Sequence, residues 1–235
     1  FQKGVTANAN DPLNYIGLGR IAFLLGDNKT AAEMRTKAKS FLLPYKNIKK
    51  ISPPAKDYAF TLAKIAESYI KDETVDTAAA LPLIREAIKI DNKNRDVYLI
   101  AGDIYILVND GSKAIASYNQ AEFADPQSPT AAMKIGNIYV KGRALQAAIP
   151  YFEKAIELNA NYAPAYRELG QLYLSAQRFD QAKEYFKKYL ELTAGNIPAM
   201  NRYVTALFYG KDYNGVITTV AEIFAVDKSR VILNR

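Results

Sequence analysis

Apolar residues recur along this chain at the i, i+3, i+4 spacing of amphipathic helices, in blocks separated by short polar stretches such as 109–112, 141–143 and 176–178. The blocks come in pairs, so each polar stretch reads as the turn of a helical hairpin. The pattern itself repeats. Gly102, Gly136 and Gly170 are spaced by 34 residues, and a Tyr follows each of them three positions later, at Tyr105, Tyr139 and Tyr173. Ala114, Ala148 and Ala182 fall twelve positions after the glycines, and Tyr118, Phe152 and Phe186 four positions beyond those. Small residues are predicted where two helices approach closely, and aromatic residues where a hairpin must fill the space beside its neighbour.

These residues resemble the tetratricopeptide repeat, whose 34-residue pattern runs aromatic, Leu-Gly, Tyr, then Ala, aromatic and Pro. Residues 95–128 match with Tyr98, Gly102, Tyr105, Ala114, Tyr118, Ala121 and Pro126; 129–162 with Ile135, Gly136, Tyr139, Ala148, Phe152 and Ala155; and 163–196 with Tyr166, Leu169, Gly170, Tyr173, Ala182 and Phe186. Looser units keep register at 12–45 (Tyr15, Leu18, Gly19, Ala31, Ala38), at 59–94 with two extra turn residues, and at 197–230 (Tyr203, Leu207, Val216, Val220). The resemblance implies an all-α fold, a right-handed superhelical solenoid of antiparallel helical hairpins. Domain organisation follows from it: a partial repeat and one full repeat over 1–45, a basic, Pro-containing interruption over 46–58, and five repeats over 59–235 with the start of a further one at Val231.

Local signals agree with helix starts. Asp11-Pro12 and Ser128-Pro129 read as an N-cap followed by Pro in the first turn, and Thr30 with Glu33 has capping-box spacing. Pro82 and Pro150 share a repeat position inside a second helix, which predicts a shifted start or a mild bend. Pro53-Pro54 predicts a bend of the solenoid within 46–58.

Composition removes most chemistry. The chain has no His and no Cys, so imidazole and thiolate metal sites, disulfides and His-based triads are all excluded. Carboxylate pairs such as Asp72 with Glu73, or Glu153 with Glu157, lie in a turn or on a polar helix face, and read as solvated surface. Gly17 and Gly19 lack the preceding strand and third glycine of a phosphate loop. No enzymatic activity and no cofactor are expected. The longest nearly apolar stretch, Val97 to Val108, is interrupted by Gly102 and Asp103 and is too short to span a bilayer.

The formal net charge of +7 is local: residues 1–58 carry ten Lys and Arg against four Asp and Glu, and residues 59–235 carry 21 against 20. The stretch from Arg35 to Lys56 reads either as a solvated helix face running into a loop or as a docking patch for an acidic partner. The 17 Tyr recur at repeat positions and are assigned to packing, so nucleic acid is not expected as a partner.

The resemblance implies a binding groove lined by the first helix of each repeat. Its exposed positions, carried onto this sequence, give Asp103, Leu107, Met133, Asn137, Lys141, Arg167, Gln171, Asn201 and Thr205 as candidate peptide-binding residues. Glu67 and Asp103 predict an acidic early groove, and Lys141 and Arg167 a basic later one. The expected partner is another protein or a peptide segment. Met133 and Glu168 stand where a carboxylate-clamping member would carry Lys and Asn, so that ligand class is not implied. Two further readings stay open: a recruiting or spacer module of a larger enzyme or of an envelope assembly, and self-association through unfinished repeat edges at Phe1 and at Val231, Ile232 and Leu233. A Cys-free, Lys- and Asn-rich chain is compatible with a bacterial envelope compartment.

Overall fold

A computed structural model describes residues 1–42, 55–71, 75–194 and 196–233, with side chains for all of these except 55, 56 and 226–233. Among the described residues there are thirteen helices and no strand. They are α1 (Gln2–Ala7), α2 (Pro12–Leu24), α3 (Asn28–Ser40), α4 (Ala55–Ile70), α5 (Thr77–Ile90), α6 (Arg95–Leu107), α7 (Gly111–Ala124), α8 (Pro129–Lys141), α9 (Leu145–Leu158), α10 (Ala163–Ser175), α11 (Phe179–Leu192), α12 (Ile197–Tyr209) and α13 (Tyr213–Leu233). The fold is an all-α helical-repeat stack, as the 34-residue period predicts.

The chain divides into two compact units, Phe1–Pro126 and Gln127–Arg235. In the first, α2 pairs with α3, α4 with α5 and α6 with α7, and the hairpins pack through α2 on α4, α3 on α4 and α4 and α5 on α6. In the second, α8 pairs with α9, α10 with α11 and α12 with α13, and α9 packs on α10 and α11 on α12. The division expected at 46–58 is therefore not where the compact units part. Most of that segment lies outside the described residues, and α4 beyond it packs on both helices before it.

Each core is built from the periodic positions. Leu62, Ile65, Ile84, Val97 and Ile104 are buried in the first unit, and Ala148, Phe152, Leu169, Ala182 and Phe186 in the second. The repeat glycines admit a ring from the paired helix: a Cβ on Gly102 would lie 2.2 Å from Tyr118, on Gly136 2.5 Å from Phe152, and on Gly170 2.7 Å from Phe186.

The hairpin turns share one device. Asn109, Arg143, Gln177 and Lys211 all adopt φ between 57° and 61°, and Gly26 takes 82°. The residue after each donates its backbone N–H back to the preceding helix: Asp110 to Tyr105, Ala144 to Tyr139, Arg178 to Tyr173, Asp212 to Leu207 and Asp27 to Ala22, all at 2.8–2.9 Å. This is the Schellman closure, which satisfies the orphan carbonyls of a helix end and turns the chain at once.

Second helices are capped by Asp where the repeat supplies one. Asp27, Asp76, Asp110 and Asp212 accept backbone N–H bonds from Thr30, Ala79, Lys113 and Gly215. Thr30 is thus inside α3 and Asp27 is its cap, in place of the capping box expected from Thr30 and Glu33. Asp11 and Ser128 cap α2 and α8 as expected, with Pro in the first turn of each. Pro82 and Pro150 lie inside α5 and α9 without displacing their starts: α7, α9 and α11 begin at Gly111, Leu145 and Phe179, in the same 34-residue register. Each proline is six residues in, so the carbonyl it leaves without a partner belongs to the exposed first turn and meets water. At the other end, α13 runs unbroken to Leu233, across the expected repeat boundary at residue 230.

Candidate binding surfaces in the two units

In the second unit the candidate residues fall on α8, α10 and α12 in i, i+4 pairs: Asn137 with Lys141, Arg167 with Gln171, Asn201 with Thr205. Residues at this spacing share a helix face. Asn137, Lys141 and Asn201 are exposed, and Arg167, Gln171 and Thr205 half-buried. Arg167 donates from Nε to Oε1 of Glu168 at 2.9 Å, so its charge is already partly answered.

Three of these residues meet. Gln171, Asn201 and Thr205 line a hollow of about 300 Å³ together with Leu174, Phe186, Pro198 and Arg202. Arg202 Nη1 donates to Gln171 Oε1 at 3.3 Å, linking α10 to α12 across it. Thr205 Oγ1 donates to the Asn201 carbonyl at 2.8 Å, and Ser175 Oγ to the Gln171 carbonyl at 2.9 Å. Polar groups thus sit over an apolar floor of Leu174, Pro198 and the Phe186 ring. Arg202 was not singled out from the sequence, because the repeat pattern assigns its position no groove role. Asn137, Lys141 and Arg167 do not line this hollow.

Met133 is a correction. It is 5% exposed and belongs to the core with Ala148, Phe152, Ala165 and Leu169, so it offers no apolar anchor on the surface. Its unbranched thioether fills a gap beneath the face that its helical position suggested.

In the first unit, α6 carries Asp103 and Leu107. Leu107 is 43% exposed, while Asp103 accepts the Tyr118 hydroxyl at 2.6 Å. Burial, the Asp103 charge and this bond push the Tyr118 phenol well above its ordinary range. A hollow of about 430 Å³ in this unit lies elsewhere, between α2, α3 and α4. Its walls include Leu13, Ile16, Gly19, Ala31 and Phe60, and its rim carries Arg20, Arg35, Lys64, Glu67 and Lys71. Arg20 Nη1 donates to the Lys71 carbonyl and Arg35 Nη1 to the Ser68 carbonyl, both at 3.2 Å.

Glu67 is bridged by two lysines, Lys64 at 2.7 Å and Lys71. Burial works against its charge, and the two ammonium groups outweigh it, holding the carboxyl below its usual range. The acidic early groove expected from Glu67 and Asp103 is therefore not what the first unit presents. Glu67 is enclosed by cations, and Asp103 is engaged by Tyr118. The missed signal was at Arg35, which stands where the later repeats carry Tyr118, Phe152 and Phe186.

Among the described residues no group of three or more Asp or Glu side chains could hold a metal ion, and no helix is long and apolar enough to cross a membrane.

Two family models described as tetratricopeptide repeat match, one over residues 107–164 and the other over 140–207. Residues 107–207 carry tetratricopeptide repeats. No curated protein matches its sequence. Solved structures with the same fold include PilW, described as a widely conserved type IV pilus biogenesis factor, at 18% identity over 91% of this chain and 92% of that one, with TM-score 0.63. MamA is similar at 24% identity over 72% of this chain and 94% of its own, with TM-score 0.56. YrrB, described as a tetratricopeptide repeat protein with an unusual peptide-binding site, is 20% identical over 75% of this chain and 86% of its own, with TM-score 0.54.

Proposed function

We propose that this protein is a non-enzymatic interaction scaffold that binds an extended or helical segment of another protein on the first helices of its repeats. In the second unit the contacts are assigned to Asn137, Lys141, Arg167, Gln171, Asn201 and Thr205, with Arg202 added; in the first, to Asp103 and Leu107. The observation that carries the reading is the hollow between α10 and α12, where the amides of Gln171 and Asn201, the Arg202 guanidinium and the Thr205 hydroxyl surround an apolar floor. A peptide side chain entering it would bury apolar surface, while its backbone meets donors and acceptors at the rim. YrrB, with its peptide-binding site, supports this use of the fold.

The test is affinity capture from source-cell extract by the parent chain and by a Gln171→Ala/Asn201→Ala variant, with bound proteins quantified by mass spectrometry. The reading expects a partner retained by the parent and depleted at least fivefold by the variant. Equal retention by both would remove the site from this hollow.

A second reading, a module of an envelope assembly, is supported by the likeness to the pilus biogenesis factor PilW over nine-tenths of both chains. A partner set dominated by envelope proteins would favour it.

A further inference from the structure

The first helices of the second unit, α8, α10 and α12, carry one acid among them, Glu168, and Arg167 already holds it at 2.9 Å. Arg202 on α12 has no such partner. Its Nη1 donates to the Gln171 amide oxygen at 3.3 Å, and among the described residues it has no other hydrogen bond, ion pair or ring contact. That bond is long beside the usual length of about 2.9 Å. Arg202 is nonetheless half-buried, in the hollow of about 300 Å³ whose described lining contains no acid. The amide N–H groups of Gln171 and Asn201 at its rim make no bond among the described residues either. A neutral amide oxygen is a weak answer to a guanidinium. A carboxylate accepts two parallel, charge-assisted bonds from the same fork, each shorter and about twice as strong.

We propose that Arg202 is the specificity-determining residue of this hollow, and that it selects an Asp or Glu side chain from within the partner segment. The proposal rests on the scaffold reading and names the chemistry of one partner residue. In the free protein, Gln171 Oε1 takes one of the places that a carboxylate oxygen would occupy. The partner's carboxylate would displace it and accept both bonds from the Arg202 fork. Gln171 Nε2 and Asn201 Nδ2 would then donate to the remaining lone pairs or to the adjoining peptide group. An apolar side chain beside the acid would rest on Leu174 and Pro198. Lys141 and Arg167 do not line the hollow, and Arg167 already holds Glu168, so the site calls for one acid and not for an acidic run.

The experiment uses the full chain and a phage-displayed library of random twelve-residue peptides. These are joined to the coat protein at their C-termini, so they offer carboxylates only from Asp and Glu. Peptides selected on the parent should carry an acid at one aligned position at least fivefold more often than the starting library. Arg202→Gln should return that position to the library frequency while circular dichroism stays unchanged. A selected peptide, synthesised with an amidated C-terminus, should bind the parent at least tenfold more tightly than the same peptide with its acid replaced by the amide. Gln171→Glu, which offers Arg202 a carboxylate from the chain itself, should weaken binding of that peptide at least tenfold, even if Arg202→Gln fails to fold. Lys187→Gln, at an exposed position on α11, removes the same charge and should leave the selection unchanged. Absence of any selected peptide, no enriched acid, an enriched acid that survives Arg202→Gln, full binding by Gln171→Glu, or loss of the preference in Lys187→Gln would each overturn the proposal. None of these outcomes touches the scaffold reading, which stands or falls on partner capture by the parent and the Gln171→Ala/Asn201→Ala variant.

Discussion

The Phe186 ring lies against Gly170 so closely that a methyl group on the glycine would come within 2.7 Å of ring carbons. Both residues are buried, so neither can move away without opening the core. Gly170→Ala should destabilise the protein by about 1–3 kcal/mol, the usual cost of overpacking. Gly111→Ala is the control, since its added Cβ meets nothing within 4 Å and Ala is the better helix former. Urea unfolding should show a lower midpoint for the first variant and an unchanged or higher one for the second.

The left-handed turn residues give the opposite sign. Arg143 and Gln177 hold φ of 59° and 58°, where an L side chain is strained and glycine is not. Arg143→Gly should raise stability by about 0.5–1 kcal/mol after the extra flexibility of the unfolded chain is set against the relieved strain. Gly26→Ala, at φ 82°, should lower it by a similar amount. Equal midpoints for all three chains would mean that these turns are not what closes the hairpins.

Helix caps offer a gain of function. Asp110 accepts the Lys113 N–H at the start of α7, whereas Ala144, one repeat later, caps α9 with no side-chain bond. Ala144→Asp should therefore stabilise by about 1 kcal/mol, and Asp110→Ala should lower the thermal midpoint. A crystal structure or amide exchange at the start of α9 would check that the new carboxylate takes up the cap.

Alkaline pH should weaken the fold before it affects the peptide bonds of the helices. Burial, with the Glu86 charge added, pushes the Tyr58 phenol from its ordinary value of 10.0 up to about 12. The folded state therefore keeps this proton after the unfolded state has lost it. Stability is at its full value below pH 10 and falls as pH rises towards 12. Tyr58→Phe should flatten that decline in urea midpoints measured across the window.

How much of this was legible in the sequence depended on whether the signal was periodic. The glycines at 102, 136 and 170 and their rings define hairpins, register and core, because small-on-large packing leaves a spaced trace in the residue types. Single residues were less readable. Met133 has a surface helical position, yet its flexible side chain turns into the core. Glu67 reads as an acid until Lys64 and Lys71, one turn to either side, are seen to close on it. Thr30 with Glu33 has the spacing of a cap, yet Asp27, at the position shared by Asp110 and Asp212, is the residue that caps α3. The division at Pro126/Gln127 falls between well-matched repeats and left no compositional mark. Arg35 departs from the aromatic pattern, but only the structure shows that its guanidinium lies over the Tyr69 ring.

The proposed function has a partner segment docking on the first helices of the repeats. A photo-crosslinking benzoylphenylalanine placed at Thr205, beside the hollow between α10 and α12, tests it directly, with the same residue at Phe123, an 81% exposed position on α7, as the reference. The captured partner should crosslink from position 205, the product should disappear in the Gln171→Ala/Asn201→Ala background, and position 123 should give little. Efficient crosslinking from position 123 with none from 205 would contradict it.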